Sequence, residues 1–313
     1  HIEDTLEMVK EFHTMLGIDF DEVKTQSGQL TKILGVRYDL DKFLVSVDED
    51  RRRSLIAEIV EILKSGRLEP GNAAKLKGKL GFAEGQIFGR VGRSLMRCLS
   101  ERQYTSYTTG RLNRSLEKSL KGWLQILSGF GKPRKILTDM YTGADAVAFT
   151  DGWFPEDDKQ LKNELPGTGF VLYDKSYETP VFGMAKVSKS ELSRWTVRKN
   201  QIMMVEILAV VQLIASVGYR LRRKKLIIFV DSQSAEGALV KGGSSKEDVS
   251  ELAMVLWRLI QEFEILVYID RIPTDSNISD SCSRGSRDLA TRLGWTELEI
   301  PESLKWVCGW LGP

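Results

Sequence analysis

A buried strand that ends in a carboxylate constrains this chain more than any other stretch. Leu226 to Val230 are five consecutive apolar residues, all branched or aromatic, and Asp231 follows them directly. Such a run without alternation is typical of a strand that is covered on both faces, as in the parallel part of an α/β sheet. Ser232 then begins a helix-like segment. Asp231 therefore either caps that helix or belongs to a site at the carboxyl end of the sheet.

Length and composition narrow the class of protein. The 313 residues are enough for two or three domains, and no apolar run approaches the roughly 20 residues of a membrane span. The amino end is acidic and lacks an apolar signal segment, so we expect an intracellular protein without a membrane partner. Cys98, Cys282 and Cys308 lie far apart, which favours free thiols in a reducing compartment. Only two histidines are present, so zinc sites and histidine-based triads are not expected.

The net charge of +2 conceals a strongly basic segment. Residues 75–135 contain 14 Lys and Arg against three acidic residues, whereas the rest of the chain sums to −9. A basic segment beside an acidic domain is typical of a nucleic-acid-binding surface next to a metal site, although solvated helix faces are the alternative. We predict nucleic-acid contacts from six of its cations: Lys75, Lys77, Lys79, Arg90, Arg93 and Arg97.

Hydrophobic periodicity changes at the break formed by residues 129–133. Before it, helices are predicted over residues 3–16, 48–66, from Pro70 onward with a continuation through 90–97, and over 112–127; a β-hairpin is predicted around 32–38 and a strand at 44–47. After it, strands are predicted at 146–150, 169–173, 181–185, 226–230 and 265–269. Helices are predicted from 190 or 197 to 217, from 233 to 240, from 246 to 263 and from 286 to 293. The second half therefore has the order βββαβααβα.

Acidic residues of the second half are predicted to converge. Glu206 lies in an apolar stretch, 202–214, where a carboxylate is costly unless a buried cation or a metal ion pairs with it. Asp151 and Asp231 each follow a strand. If those strands are parallel neighbours, the two carboxylates lie a few ångströms apart and repel unless cations bind. A fourth candidate follows the last strand, either Asp280, which could instead cap a helix, or Asp275.

This set of ligands indicates a particular chemistry. Carboxylates without His or Cys favour hard ions such as Mg²⁺. Two such ions about 4 Å apart can activate water and stabilise the leaving oxygen of a phosphodiester. The residues alone therefore predict metal-dependent phosphodiester hydrolysis.

The residues around these carboxylates resemble the ribonuclease H domain of retroelement reverse transcriptases. The similar motifs are Ala148-Phe149-Thr150-Asp151-Gly152, Val205-Glu206-Ile207-Leu208, Phe229-Val230-Asp231-Ser232 and Asn277 to Arg284. That family holds an Asp-Glu-Asp-Asp metal site on a five-stranded mixed sheet flanked by helices. The resemblance implies that Asp151, Glu206, Asp231 and Asp280 are the catalytic ligands of two Mg²⁺ or Mn²⁺ ions. It places three further residues against nucleic acid: Ser232, Asn277 and Arg284. The Asn-x-x-Asp arrangement favours Asp280 over Asp275.

The first half is similar to the end of a reverse transcriptase. Leu34-Gly35-Val36 resembles a primer-grip hairpin, and the stretch 78–83 with Gly89-Arg90 beyond resembles the thumb or connection region. The implied fold class is α/β, with a ribonuclease H-like five-stranded mixed sheet and flanking helices. A mostly helical thumb/connection domain with a small β-hairpin precedes it. The implied domains are 1–47, the end of the palm with the hairpin; 48–133, the basic helical thumb/connection; and 134–313, the ribonuclease H-like domain with a C-terminal tail.

The leading hypothesis is an endonuclease that cuts the RNA strand of RNA–DNA hybrids, as part of a retrotransposon-type reverse transcriptase/ribonuclease H. No Tyr-x-Asp-Asp motif is present, so DNA polymerase activity is not expected from this chain alone. The second half has no histidine, which many relatives use to assist catalysis. It has little room between Val240 and Lys246 for the basic substrate-holding helix of some cellular relatives. We therefore expect the basic first domain to hold the hybrid.

Two other hypotheses remain open. A domesticated, non-catalytic nucleic-acid-binding or scaffold protein could keep the same fold within a polyprotein or a larger ribonucleoprotein complex. The four acidic residues argue against lost catalysis without excluding it. A doubly wound nucleotide-binding domain would need a Gly-rich phosphate loop, which the sequence lacks, and would not begin with three consecutive strands.

Overall fold

A computed structural model describes residues 2–18, 21, 25–26, 28–105, 110–137, 143–155, 164–198 and 201–300. Backbone contacts divide the chain into two units. The first comprises His1–Phe88 and Cys98–Met140, and the second comprises Gly89–Arg97 and Tyr141–Pro313. The predicted boundaries at residues 47 and 133 stay predictions. Cys98 and Cys282 form no disulfide bond within the described residues, and Cys308 lies outside them.

The first unit combines helices with a small antiparallel sheet. Its helices are α1 (Ile2–Met15), α2 (Glu49–Ser65), α3 (Pro70–Glu84), α4 (Met96–Tyr104), of which Met96 and Arg97 belong to the second unit, and α5 (Arg114–Gln125). A π-helical turn (Ile126–Phe130) follows α5. Its strands are β1 (Leu30–Ile33), β2 (Val36–Asp39), β3 (Leu44–Val47) and β4 (Arg134–Lys135), in the order β1-β2-β3-β4. The predicted helices and β-hairpin are therefore observed, and β3 and β4 extend the hairpin to a four-stranded sheet.

Local signals explain most of these elements. Acidic residues stand in the first turn of α2, and Gly66 ends it in a left-handed conformation with φ 65°. Pro70 occupies the start of α3, where its missing N–H has no helical partner to lose. The hairpin turns at Leu34 and Gly35, whose φ angles of 50° and 78° match the twist of the flanking strands.

The predicted helix through 90–97 is wrong over its first six residues. Residues 90–95 form turns, and α4 begins only at Met96. Gly89 has a left-handed φ of 79°, which interrupts a helical path. A Cβ on Gly89 would lie 3.5 Å from the Trp257 carbonyl oxygen, so this stretch packs within the second unit. The packing depends on residues far along the chain and has no local signal.

The second unit is built on a mixed sheet. Its strands are β5 (Ala146–Trp153), β6 (Gly167–Asp174), β7 (Val181–Lys186), β8 (Lys225–Val230), β9 (Leu266–Arg271) and a short β10 (Thr296–Glu297). The order is β10-β7-β6-β5-β8-β9. Strands β5, β6 and β7 are antiparallel neighbours, whereas β5, β8 and β9 run parallel. The predicted five-stranded mixed sheet is confirmed, and β10 adds a parallel sixth strand beside β7.

Helices flank this sheet. They are α6 (Lys189–Leu192), α7 (Ile202–Val217), α8 (Gln233–Lys241), α9 (Glu247–Phe263), α10 (Asp280–Ser283) and α11 (Asp288–Leu293), with a 3₁₀ turn at Thr274–Ser276. The single helix predicted up to residue 217 is thus α6 and α7, and residues 199–200 between them lie outside the described part. Helix α7 packs against β5, β6 and α9, which explains why it is apolar on nearly all sides.

Gln212, a second buried polar side chain of α7, has a hydrogen-bond partner. Gln212 is 5% exposed, and its Oε1 accepts a hydrogen bond from the hydroxyl of Thr168 on β6.

Among the described residues, no helix is both long and apolar enough to cross a membrane.

Candidate active site

Two parallel strands place Asp151 and Asp231 side by side. Phe149 on β5 pairs with Phe229 on β8, and each aspartate comes two residues after one of these phenylalanines. Asp231 directly follows β8 as predicted, whereas Asp151 lies within β5, which continues to Trp153 because it stays paired with β6. Because the strands run in the same direction, both carboxylates lie at the carboxyl end of the sheet. The conditional prediction of neighbouring parallel strands is therefore confirmed.

Helix α7 adds Glu206 to this pair through a close approach to β5. A Cβ on Gly152 would lie 2.5 Å from the backbone nitrogen of Glu206 and 2.6 Å from the Val205 carbonyl carbon. No side chain fits there, so glycine directly after Asp151 lets the helix backbone lie against the strand. Each of Asp151, Glu206 and Asp231 offers a carboxylate oxygen, and these atoms lie within 4.8 Å of one another. We call these three residues the carboxylate cluster.

The surroundings disfavour charge on the cluster. Burial, with the charges of Asp231 and Asp280, raises the pKa of Asp151 to about 6, although the Ser283 hydroxyl and the Arg284 charge act in the opposite direction. Burial, with the charges of Asp151 and Asp231, raises the pKa of Glu206 to about 10. Without a cation, the cluster therefore keeps a proton at neutral pH.

The cluster also contains carboxylate oxygens without partners. Glu206 is 4% exposed, and its Oε2 is buried with no hydrogen-bond partner, as is Oδ1 of Asp231. No Lys or Arg of the described residues forms an ion pair with Glu206, so the simpler alternative of a buried cationic side chain is not observed. Closely spaced, buried, unpaired oxygens fit a hard divalent ion such as Mg²⁺ or Mn²⁺.

Asp280 lies beside the cluster without joining it. It is the first residue of α10, after the N-cap residue Ser279, and its charge contributes to the raised pKa of Asp151. Both of its carboxylate oxygens accept hydrogen bonds from Nε of Arg284 at 3.0 Å. Its competitor Asp275 is exposed on the 3₁₀ turn.

Asn277 positions Asp151, a role that sequence reasoning missed. Its buried amide donates to the Thr150 carbonyl oxygen at 3.0 Å and to Oδ1 of Asp151 at 3.4 Å. Its Oδ1 accepts from the Ser279 hydroxyl at 2.6 Å. The side chain thus ties β5 to the loop that precedes α10. The spacing of Asn277 and Asp280 was the only signal in the sequence.

The residues predicted to contact nucleic acid lie in several places. Ser232 caps α8 by accepting a hydrogen bond from the backbone N–H of Ala235. Lys75 and Lys79 are exposed on α3, where Lys79 pairs with Glu58 at 2.7 Å, and Lys77 is half-buried. These three lysines belong to the first unit.

The three predicted arginines belong to the second unit, in the stretch Gly89–Arg97. Arg93 is exposed, whereas Arg90 lies over the Trp257 ring at 5.6 Å. Arg97 is half-buried and lies 3.8 Å from Glu247. Contacts of all these residues with nucleic acid stay predictions.

Known proteins offer limited comparisons. No protein-family model and no curated protein matches the sequence. Similar solved structures include an N-terminal ribonuclease H domain from Mycobacterium tuberculosis, fused to maltose-binding protein, at 14% identity and TM-score 0.35, covering 48% of this chain and 98% of that one. Ribonuclease H1 from Halobacterium salinarum matches at 16% identity and TM-score 0.34, covering 47% and 98%. Prototype foamy virus protease–reverse transcriptase matches at 14% identity and TM-score 0.30, covering 63% and 29%. Similarity at this level assigns no activity to this chain.

Proposed function

We propose that this chain is a metal-dependent endonuclease that cuts the RNA strand of RNA–DNA hybrids. The observation that carries the proposal is the carboxylate cluster, in which one carboxylate oxygen from each residue lies within 4.8 Å of the others. Oε2 of Glu206 and Oδ1 of Asp231 are buried without a hydrogen-bond partner. A site that only capped a helix or closed an ion pair would not collect three carboxylates at one end of a sheet.

The proposed ligands are Asp151, Glu206 and Asp231, with Asp280 beside them. Two divalent ions, when bound, would supply activation of water and stabilisation of the leaving oxygen. The chain's own groups hold the ligands in place. Asn277 fixes Asp151, and Gly152 allows Glu206 to approach it. Metal binding would release the proton that the cluster holds at neutral pH.

The stretch Gly89–Arg97 supports the proposal that the substrate is a duplex. A Cβ on Gly242, at the end of α8, would lie 2.9 Å from Cβ of Arg90 and 3.0 Å from Cβ of Arg93. Helix α8 begins two residues after Asp231 and has nine residues, so it spans about 14 Å at 1.5 Å per residue. Arg93 therefore lies about one short helix away from the cluster. This distance suits a contact to a duplex backbone while a phosphodiester occupies the cluster.

Specificity for a hybrid is expected to depend on the shape of the duplex and on 2′-hydroxyl groups. The proposal includes a retroelement-derived reverse transcriptase/ribonuclease H context, in which the first unit is the thumb/connection region. Its hairpin turn at Leu34 and Gly35 would then be a primer grip. RNA–DNA hybrid is the proposed partner, within a polyprotein or a ribonucleoprotein complex.

Cleavage of a labelled hybrid tests the proposed function. The pure chain should cut the RNA strand and leave the DNA strand intact with Mg²⁺ or Mn²⁺, and EDTA should stop the reaction. Asp231→Asn should reduce the rate at least about 100-fold, since loss of a ligand exceeds the effect of losing its supporting partners. The control is Asp275→Asn, the same substitution at an exposed neighbouring acid, which should retain activity while Asp280→Asn loses it.

The outcomes separate the hypotheses. A hybrid that stays intact with either ion contradicts the enzymatic proposal. Tight binding of the hybrid without cleavage would instead favour a domesticated binding or scaffold protein.

A further inference from the structure

A second basic segment lies at the opposite end of the ribonuclease H-like sheet. Five of the six residues from Arg220 to Lys225 are Lys or Arg. They stand out because residues 141–313 carry a formal net charge of −3, which would be −8 without this segment. Strand β8 begins at Lys225 and ends next to Asp231, so six residue steps of about 3.3 Å put about 20 Å between the two. The segment is therefore separate from the candidate active site.

Two of these cations stabilise the fold. Nζ of Lys224 lies 2.7 Å from the buried carboxylate of Asp174, at the end of β6. Nε of Arg223 lies 3.2 Å from the carboxylate of Glu264, between α9 and β9. These ion pairs account for Arg223 and Lys224 in structural terms. They do not account for Arg220 and Arg222.

Arg220 and Arg222 lie over aromatic rings. The guanidinium of Arg220 is 5.0 Å from the Tyr177 ring centre and 5.7 Å from that of Tyr219, and its Nε donates to the Tyr219 hydroxyl. The guanidinium of Arg222 is 5.6 Å from the Phe263 ring centre. Stacking holds a guanidinium in one plane and leaves N–H groups at its edge available to an anion such as phosphate.

The two tyrosine rings are accessible. Tyr177 is 48% exposed in the β6–β7 turn, and Tyr219 is 61% exposed after α7. Because β5 and β6 are antiparallel, the β6–β7 turn lies at the same end of the sheet as Lys225. Exposed rings among oriented cations are the combination that binds unpaired bases and their phosphates.

We infer that Tyr177, Tyr219, Arg220 and Arg222 form a binding site for single-stranded nucleic acid, which we call the opposite-end site. The rings would stack on bases and the guanidinium groups would contact phosphates. A duplex does not fit this description, because its base faces are already stacked within the helix. The site would hold a single-stranded segment about 20 Å from the cluster, whether or not the cluster cuts.

Photo-crosslinking locates this binding directly. The full chain is mixed with a single-stranded oligonucleotide that carries 5-iodouracil, in EDTA so that no cleavage occurs, and crosslinked residues are mapped by mass spectrometry. We expect crosslinks at Tyr177 or Tyr219, beside any in the basic stretch 75–135. Crosslinks confined to residues outside the opposite-end site would overturn the inference.

Salt dependence separates the roles of the cations and the rings. Arg220→Gln with Arg222→Gln should reduce the tyrosine crosslinks at least 10-fold and lower the slope of log affinity against log salt by about 1.4. Tyr219→Leu, at an exposed ring, should weaken binding about 5-fold or more without changing that slope. The matched control, Lys189→Gln with Arg292→Gln, removes two exposed cations of the same unit and should change neither. Equal losses in the control and the arginine pair would contradict the site.

Discussion

Glu206 is the residue whose environment is hardest to explain without a ligand. It lies in a helix that is otherwise almost entirely apolar, it is 4% exposed, and two more carboxylates lie next to it. Burying a carboxylate among like charges costs free energy, because the charged form loses its hydration and is repelled. Until a cation binds, nothing in the folded protein offsets this cost at Glu206.

The first prediction concerns the stability of the metal-free protein. Glu206→Gln removes the titrating group and should stabilise the fold in EDTA at pH 8. The pKa of Glu206 is raised in the folded state to about 10 from its ordinary value of 4.5. Between these two values the unfolded chain is ionised and the folded chain is not, so the wild type loses stability as pH rises. The difference in the free energy of unfolding between the variant and the wild type should increase, in favour of the variant, by on the order of 2 to 4 kcal/mol from pH 5 to pH 8.

Urea unfolding at both pH values checks this sign. Glu297→Gln is the matched control, because Arg287 lowers the pKa of Glu297 and its contribution has the opposite sign. That variant should gain nothing at pH 8. A Glu206→Gln protein that is less stable than wild type at pH 8 without metal would contradict the account.

At the residue scale, the sequence predicted ligands better than their supports. Asp151 and Asp231 come after apolar runs in the sequence, and Glu206 interrupts an apolar helix, so each carries a local signal. The only signal at Asn277 was its spacing from Asp280, because its contact with Asp151 depends on β5, which lies more than a hundred positions earlier. The ion pair between Asp280 and Arg284 has helical spacing, but nothing local places it next to Asp151.

At the element scale, the site depends on how closely α7 approaches β5. The contact is possible because Gly152 has no side chain where the backbone of Glu206 passes. A comparable contact occurs at Gly169 on β6, where a Cβ would lie 2.5 Å from the Ser283 nitrogen of α10. Glycines on the neighbouring strands β5 and β6 thus allow close packing of the two helices that carry Glu206 and Asp280.

The second prediction tests this approach. Gly152→Ala should destabilise the protein by about 2 kcal/mol or more and weaken Mn²⁺ binding, because the helix must shift away from the strand. Gly237→Ala is the matched control within α8, where a Cβ would meet nothing within 4 Å. It should stabilise the protein by about 0.5–1 kcal/mol through helix propensity. Thermal unfolding and Mn²⁺ titration measure both effects, and equal behaviour of the two variants would refute the packing argument.

The elements themselves were largely predictable, because apolar runs and helical stripes are local. All five long strands of the second unit and its longest helix, α9, lie close to their predicted positions, whereas α7 begins at Ile202 and not at the predicted residue 190 or 197. The errors fall where distant contacts decide. Residues 90–95 have a plausible helical pattern, yet they turn against Trp257 and Gly242 of the second unit. The short β10 forms only because β7 is available as its neighbour.

At the scale of the whole molecule, charge is distributed unevenly. The segment 75–135 is strongly basic, but its arginines 90, 93 and 97 belong to the unit that carries the carboxylate cluster. Helices α8 and α9 are joined by a short connection, residues 242–246, which contains no basic helix. Arg90 and Arg93, from earlier in the chain, lie against Gly242 at the end of α8 and supply cations there instead.

The third prediction assigns Arg93 to the hybrid backbone. Arg93→Gln should weaken binding of an RNA–DNA hybrid and reduce the dependence of log affinity on log salt by about 1, as expected for the loss of one phosphate contact. Fluorescence anisotropy in EDTA measures this without cleavage. Arg292→Gln, an exposed cation on α11 of the same unit, should leave the slope unchanged. An unaltered slope in Arg93→Gln would remove this residue from the interface.

Calorimetric titration of the full chain with Mn²⁺ measures whether the carboxylate cluster binds divalent metal. Titrations at pH 7 in two buffers with different ionisation enthalpies report the protons released. Because the pKa of Glu206 is about 10 without metal, we predict saturable binding that releases about one proton. Glu206→Gln should lose both the binding and the release. Absence of saturable Mn²⁺ binding in the wild type, or the same binding in Glu206→Gln, would contradict the account.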